Sequence, residues 1–148
     1  MKKESLLDQV GGISKLQEVH KIFYDKIYAH PWLGKFFEGH DQTAIENRQT
    51  SFMSEKMGGS KDYMGKPPYM AHRQMYITEE LFELRQTILK ESLQEAAIPG
   101  VLIDRWLRID QAFKKQIVKN SIEEFYKTTW KYEKRVIIPK STAYSSKS

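Results

Sequence analysis

The stretch HKIFYDKIYAHPWLGKFF, residues 20–37, shows most clearly how this chain folds. Apolar side chains recur every three to four residues through its first half and just before it, which predicts an amphipathic α-helix. These positions are Leu16, Val19, Phe23 and Ile27. Pro31 ends the run, because proline has no amide hydrogen to donate within a helix. The connector that follows is too apolar for a solvated loop, so we expect it to pack against the body: Trp32, Leu33, Phe36 and Phe37.

Glycines and capping residues mark the boundaries of the neighbouring helices. Gly11 and Gly12 predict a sharp turn after a short apolar segment, because glycine reaches positive φ at little cost. Two pairs fit the capping box that opens a helix, Ser14 with Gln17 and Thr43 with Glu46. The glycines, prolines and small polar residues of segment 58–70 predict a loop.

The second half of the chain also has helical spacing. Thr78 predicts the start of one helix, and Pro99 separates it from a last helix whose pattern continues weakly to Trp130. The only strand-like run is VII at residues 136–138. The predicted fold class is therefore all-α.

Length and composition narrow the protein class. A chain of 148 residues corresponds to one domain with a real core. No apolar run approaches the roughly 18–20 residues that span a bilayer, and MKKESLLDQVGG contains no signal-peptide core, so we expect a cytoplasmic protein without a membrane partner. The absence of cysteine excludes disulfides, thiolate metal sites and cysteine nucleophiles.

The basic charge is concentrated at the end of the chain. Residues 131–148 hold five basic residues and one acidic residue, which leaves only +1 of the net +5 for residues 1–130. We therefore expect a globular domain over 1–130 and a basic, disordered tail over 131–148. In the domain, Lys and Arg are interspersed with Asp and Glu without an aromatic and basic platform, which argues against a nucleic-acid partner.

Two polar residues occupy positions where the helical pattern predicts apolar ones. Gln49 lies between Ile45 and Phe52, and Tyr24 lies one turn before Ile27. A buried amide or hydroxyl needs a partner, since leaving one unsatisfied costs roughly 1–3 kcal/mol. Taken alone, Tyr24 fits a core tyrosine bonded to a backbone carbonyl as well as a residue that faces something polar inside the fold.

The four histidines, His20, His30, His40 and His72, show no compact metal-ligand spacing. A single axial ligand remains compatible with the sequence. His30 before Pro31 is typical of a helix end, and His40 of a loop. His72 follows the long predicted loop and precedes a new helix cap, although a lone histidine in such a place usually has no special role.

In order and spacing, the segments VGG, HKIFYDKIYAHPWLGKFF, NRQTSF, MGG, PPYMAHRQMYIT and EAAIP resemble the truncated haemoglobins, globins with a two-over-two helical fold. The resemblance runs from about Leu6 to Val118 and is strongest to group I. None of these motifs is diagnostic alone. Their combination is specific, with Tyr24 thirteen residues before Phe37 and Gln49 three before Phe52.

The resemblance implies a haem b protein and assigns its site residues. His72 would bind the iron, and Tyr24 and Gln49 would point into the distal pocket as hydrogen-bond donors. The remaining residues would contact the haem: Phe37 against its face, Ile45 where many globins have a distal histidine, and Arg48 near a propionate. Phe52 would also contact it and, with Phe23, Phe37 and Ile45, keep bulk water from the iron.

One position departs from the family pattern. The residue thirteen after His72 is normally apolar in group I, but here it is Arg85, between Phe82 and Leu89 on an apolar stripe. A guanidinium near the pocket is costly unless it is paired or turned outward. We expect Arg85 to reach a propionate or solvent, unless the local register is shifted by one residue.

Three functions are compatible with these features. The first is reversible binding of oxygen, NO or CO, as a carrier, store or sensor. The second is nitric oxide dioxygenation, which would need a separate reductase because the sequence has no GxGxxG motif. The third is a helical binding module without cofactor. The oligomeric state stays open between monomer and dimer.

Overall fold

The computed structural model describes residues 4–59, 75–128 and 135–139 of the chain. His72 and almost all of the predicted loop at 58–70 lie outside these residues.

Helices make up nearly all the regular structure of the described residues. In chain order they are α1 (Leu6–Val10), α2 (Gly12–Ala29), a short 3-10 helix (Leu33–Phe37), α3 (Gln42–Lys56), α4 (Glu79–Glu95), α5 (Gly100–Gln111), α6 (Lys114–Ile117) and α7 (Ile122–Thr128). The single β pairing among the described residues is a parallel bridge between Met75 and Val136. In these same parts of the chain, no helix is long and apolar enough to cross a bilayer. The all-α prediction is confirmed.

The core is built around α2, which packs against α1, α3, α4 and the 3-10 helix. The four predicted apolar positions of α2 are all buried, and two polar residues are buried with them, His20 and Tyr24. The connector also packs as expected: Trp32, Leu33 and Phe36 are buried and Phe37 is half-buried. The first prediction follows from the side-chain period of a helix, which places every third or fourth residue on one face. The second follows from the apolar composition of the connector.

The helix starts differ from two of the three predicted ones. α2 begins directly after Gly11, whose φ of +117° suits glycine, so Ser14 lies inside the first turn and caps nothing. Asp41, and not Thr43, caps α3, because its carboxylate already accepts a hydrogen bond from the third amide of that helix. Thr78 caps α4 as predicted.

The predicted last helix is interrupted. α5 ends at Gln111, and in the part of the chain that the structure describes only the short helices α6 and α7 follow it. After α6 the backbone becomes extended at Val118, and the Lys119 amide donates to the Ile77 carbonyl at 2.9 Å. A hydrogen bond to a distant segment thus replaces the next helical one, which the sequence periodicity did not reveal.

Residues 135–139 differ from the expectation of a disordered tail. Val136 and Ile138 pack against the core, and the Trp32 indole donates to the Ile138 carbonyl at 2.9 Å. The alternating apolar side chains of this segment bury one edge against the body, which offsets the entropy lost on ordering. The rest of the predicted tail, apart from these five residues, lies outside the described part of the chain.

Candidate functional site

Tyr24 and Phe37 meet where α2 adjoins the 3-10 helix. Their ring centroids lie 5.9 Å apart, edge to face. The ring of Phe23 packs 4.8 Å from Tyr24, and the ring of Tyr28 lies 5.4 Å from Phe37. The structure therefore brings two of the predicted site residues into contact, and one of them, Phe37, stays half-exposed.

α3 packs on α2 and carries four further predicted site residues: Ile45, Arg48, Gln49 and Phe52. Ile45 and Gln49 are half-buried one turn apart, and Ile45 packs against the core. Arg48 is exposed. The ring of Phe52 lies 5.2 Å from that of Phe113, between α5 and α6, so it contacts the second half of the molecule.

The Tyr24 hydroxyl has no hydrogen-bond partner among the described residues, and the buried indole N–H of Trp106 has none either. Tyr24 is only 5% exposed, and burial raises its pKa to about 12, so the hydroxyl stays protonated at neutral pH. Within the described parts of the chain, neither this hydroxyl nor the Gln49 amide takes part in a hydrogen bond. A donor that lies on a largely buried side chain and has no protein partner is available to a ligand.

The arrangement fits a flat, largely apolar prosthetic group. Phe37 and Ile45 leave part of their apolar surface uncovered, and Tyr24 supplies an unpartnered donor beside Phe37. Among the residues described, no cluster of three or more His, Asp or Glu side chains could hold a metal ion. The predicted axial ligand, His72, lies outside them.

His20 is the second buried polar residue of α2, and one of its ring nitrogens has a partner in the core. Its Nδ1 lies 2.8 Å from the Thr50 hydroxyl of α3, and its ring packs edge to face on Trp106 at 6.0 Å. Burial, with a smaller contribution from the Arg85 cation, lowers the pKa of His20 to about 3. The imidazole is therefore neutral at physiological pH and belongs to the core.

The remaining described histidines match their predicted places. His30 ends α2, and its Nδ1 accepts hydrogen bonds from the amides of Trp32 and Leu33, both at 3.1 Å. Burial lowers the pKa of His30, which favours this acceptor form of the ring. His40 is exposed between the 3-10 helix and α3.

Arg85 finds a partner that the sequence analysis missed. Its Nη1 donates to both carboxylate oxygens of Asp110 on α5, at 2.8 and 2.6 Å, and the Gln86 amide donates to the same carboxylate at 3.1 Å. The guanidinium carbon lies 5.2 Å from the centre of the Phe23 ring. The expectation that Arg85 reaches a propionate or solvent is therefore corrected: an acid on the neighbouring helix neutralises it.

The acid of the pair is buried and the base is half-buried. The side chains of Arg85 and Asp110 are 24% and 7% exposed. Burial alone would lower the pKa of Arg85, but the adjacent carboxylate outweighs it and the net shift is upward. A sequence signal for Asp110 existed, because it lies one turn after Trp106 on the apolar stripe of its helix. A lone acid and a lone base on two facing apolar stripes indicate a buried pair.

Comparison with known proteins identifies the family of this chain and similar sequences. The model of the bacterial-like globin family matches residues 5–120. A group 1 truncated hemoglobin, GlbN of Mycolicibacterium paratuberculosis, is 29% identical over 103 residues, which cover 70% of this chain and 76% of that protein. The group 1 truncated hemoglobin of Tetrahymena pyriformis is 23% identical over 117 residues, covering 79% of this chain and 97% of that one.

Solved structures show the same fold. The truncated hemoglobin from Tetrahymena pyriformis in the Fe(III) form superposes with a TM-score of 0.74 at 22% identity, covering 79% of this chain and 100% of that chain. The group II truncated hemoglobin from Bacillus anthracis gives a TM-score of 0.73 at 19% identity, covering 81% and 95%. The predicted two-over-two helical fold is confirmed.

Proposed function

We propose that this chain, which belongs to the bacterial-like globin family, binds haem b through His72 and reversibly binds oxygen and other diatomic ligands. Membership of this family supports haem binding. The preference for oxygen is carried by one observation: Tyr24, a largely buried residue beside Phe37, keeps a protonated hydroxyl that has no hydrogen-bond partner within the described residues.

Tyr24 and Gln49 would act as donors to the bound ligand. Haem, when bound, supplies a ferrous iron at which a diatomic ligand binds. Because oxygen becomes more polarised there than carbon monoxide, hydrogen bonds from the two side chains favour oxygen. If each neutral donor contributes about 1 kcal/mol, the two together slow oxygen release roughly 30-fold.

The neighbouring apolar residues would keep water away from the iron. Phe37 presents half-exposed apolar surface next to Tyr24, and Ile45 and Phe52 present half-buried apolar side chains on α3, which packs on α2. Exclusion of water slows oxidation of ferrous iron. Arg48 is exposed on the same helix, where its guanidinium is free to approach a propionate at the solvent edge.

The proposal is tested by absorption spectra of the haem-loaded protein in its ferric, ferrous and oxygenated forms. We expect a Soret band that is lost or strongly weakened in His72→Ala. The matched control is His40→Ala, which removes an exposed histidine and leaves the spectrum unchanged. A His72→Ala spectrum identical to that of the unmodified protein would overturn the assignment of the ligand.

Rapid mixing of the oxygenated protein with NO separates binding from NO dioxygenation. We propose binding, because the sequence has no dinucleotide-binding motif to return ferric iron to the ferrous state. Formation of stoichiometric nitrate, followed by turnover when a reductase is added, would instead establish the enzyme. A colourless, folded protein after addition of haem would reject both functions.

A further inference from the structure

The Arg85–Asp110 ion pair and Tyr24 share one neighbour, the ring of Phe23. The guanidinium carbon of Arg85 lies 5.2 Å from the centre of that ring, and the ring packs 4.8 Å from the ring of Tyr24. Phe23 is 1% exposed and Tyr24 is 5% exposed, so little water reaches the contact between them. A charge acts more strongly on its neighbours in such surroundings than in water, because the local dielectric constant is lower.

The positive end of the pair acts on α2 more strongly than the negative end. Burial raises the pKa of Tyr24 to about 12, and among the nearby charges Arg85 has the largest effect, which lowers that pKa. The groups that act in the opposite direction are each weaker: Asp110, Tyr28 and Glu46. One turn earlier on α2, burial lowers the pKa of His20, and the Arg85 cation lowers it further. Two groups on one face of α2 therefore experience the cation more than the acid.

Hydrogen bonds hold the pair in one orientation. Arg85 donates from Nη1 to both oxygens of the Asp110 carboxylate, and the Gln86 amide donates to the same carboxylate. The acid is 7% exposed and the base 24%, and the two residues join α4 to α5. A charge fixed in this way keeps a constant direction toward Tyr24, whereas a mobile surface charge would be averaged and screened by solvent.

We propose that the Arg85–Asp110 pair sets the donor strength of the Tyr24 hydroxyl, and with it how long a bound diatomic ligand is retained. The proposal rests on the proposed function. A cation near a hydroxyl polarises its O–H bond, which makes the hydrogen a better donor. The pair acts through Tyr24 and not by a contact of its own with the ligand. Arg85 would thus be a specificity-determining residue, in addition to its part in the core.

The first test neutralises the pair without leaving a buried charge. Arg85→Met/Asp110→Leu puts apolar side chains in both places, and the exposed Arg105→Met is the matched control. The haem-free proteins are labelled with 3-fluorotyrosine, which ionises at lower pH than tyrosine. Fluorine NMR then follows the ionisation of Tyr24, whose signal is identified by its loss in Tyr24→Phe. We expect the midpoint of this ionisation to rise in the double variant and to stay unchanged in the control.

The same variants are then compared after haem is added. In the ferrous carbon monoxide complex, a weaker donor raises the C–O stretching frequency, so we expect the double variant to raise it. Oxygen dissociation should become about two- to threefold faster, since charge assistance strengthens a hydrogen bond by up to roughly twofold. Both changes should disappear when Tyr24 is also replaced by Phe, because the hydroxyl through which the pair acts is then absent.

A second variant changes the field in the opposite direction. Asp110→Asn keeps an acceptor for the Arg85 guanidinium but removes the negative charge, so the cation acts on Tyr24 without opposition from the acid. The midpoint of Tyr24 ionisation and the C–O stretching frequency should both fall. A loosened core would shift the two variants in the same direction, whereas the proposed field shifts them in opposite directions. If the double variant does not fold, Asp110→Asn decides by itself.

Two results would overturn the proposal. One is a Tyr24 ionisation with the same midpoint in the unmodified protein, the double variant and Asp110→Asn. The other is a change in C–O stretching frequency that persists when Tyr24 is replaced by Phe. Failure of the unmodified protein to take up haem would instead overturn the proposed function, and the titrations of the haem-free proteins would still decide whether the pair acts on Tyr24.

Discussion

His20 and Tyr24 lie one turn apart on the buried face of α2, and their surroundings differ. His20 is hydrogen-bonded to Thr50 and packs on Trp106, and its low pKa keeps the imidazole neutral at physiological pH. Tyr24 is 5% exposed against 1% for His20, and its hydroxyl makes no hydrogen bond to any described residue. A polar group that is held by a core partner belongs to the structure, and a donor at the edge of the core that is held by none is open to a ligand. The Arg85–Asp110 pair belongs with His20, since each charge has its partner.

The largest effect on stability is expected at the Arg85–Asp110 ion pair, in which each charge has its partner. Arg85→Met leaves the Asp110 carboxylate buried with only the Gln86 amide, which should lower the free energy of unfolding by about 3–5 kcal/mol. The double variant Arg85→Met/Asp110→Leu should recover most of the loss, because no uncompensated charge remains. Urea unfolding measures both. The exposed Arg105→Met is the control, and a loss for Arg85→Met as small as that of the control would contradict the prediction.

Tyr24 and Gln49 have no hydrogen-bond partner among the described residues, so we expect their substitution to change the rate of oxygen dissociation. The double variant Tyr24→Phe/Gln49→Leu should speed oxygen dissociation roughly 30-fold, and each single variant about fivefold, at about 1 kcal/mol per donor. Carbon monoxide release should change far less. Stopped-flow displacement measures both rates, and urea unfolding should show no loss for Tyr24→Phe. Equal acceleration for the two gases would show that the side chains act by shape and not as donors.

Acid should destabilise the protein through His20. Its pKa of about 3 in the folded state is below the usual 6.5, so its contribution to stability is complete above pH 6.5 and is lost as the pH falls toward 3. Between pH 7 and pH 5 this amounts to about 2 kcal/mol. The difference in unfolding free energy between these two pH values should be smaller by that amount in His20→Gln. The control His40→Gln should keep the full dependence, and a similar slope in all three proteins would exclude His20 as its origin.

The smallest effect is expected at Thr50. Thr50→Val keeps the shape of the side chain but removes the partner of the His20 Nδ1, which should cost about 1 kcal/mol. Oxygen dissociation should stay within twofold of the unmodified protein, because this hydrogen bond faces the core. Unfolding and stopped-flow measurements on the same samples give both numbers. A large change in ligand release would show that His20 and Tyr24 are not separable.

Much of the fold and part of the site could be predicted from the sequence for one physical reason. Side chains repeat every 3.6 residues on a helix, so periodicity shows which face of α2 is buried and which polar residues interrupt it. Tyr24 and Gln49 are recognisable in this way, and their spacing to Phe37 and Phe52 led to the resemblance that the family match confirmed. Cap positions were less predictable, since Asp41 and Thr43 are both good capping residues.

The features that could not be predicted from the sequence are all contacts between residues far apart in the chain. Asp110 lies 25 positions after Arg85, and Lys119 lies 44 positions after Met75, to whose carbonyl its Nζ donates. Residues 135–139 include the strand-like run VII, but the sequence did not show that this run pairs with Met75 or contacts Trp32. The sequence by itself determined the helices, the buried faces and the polar residues that break those faces. Only the tertiary structure decided which of those polar groups are satisfied, because that depends on which helices and segments come together.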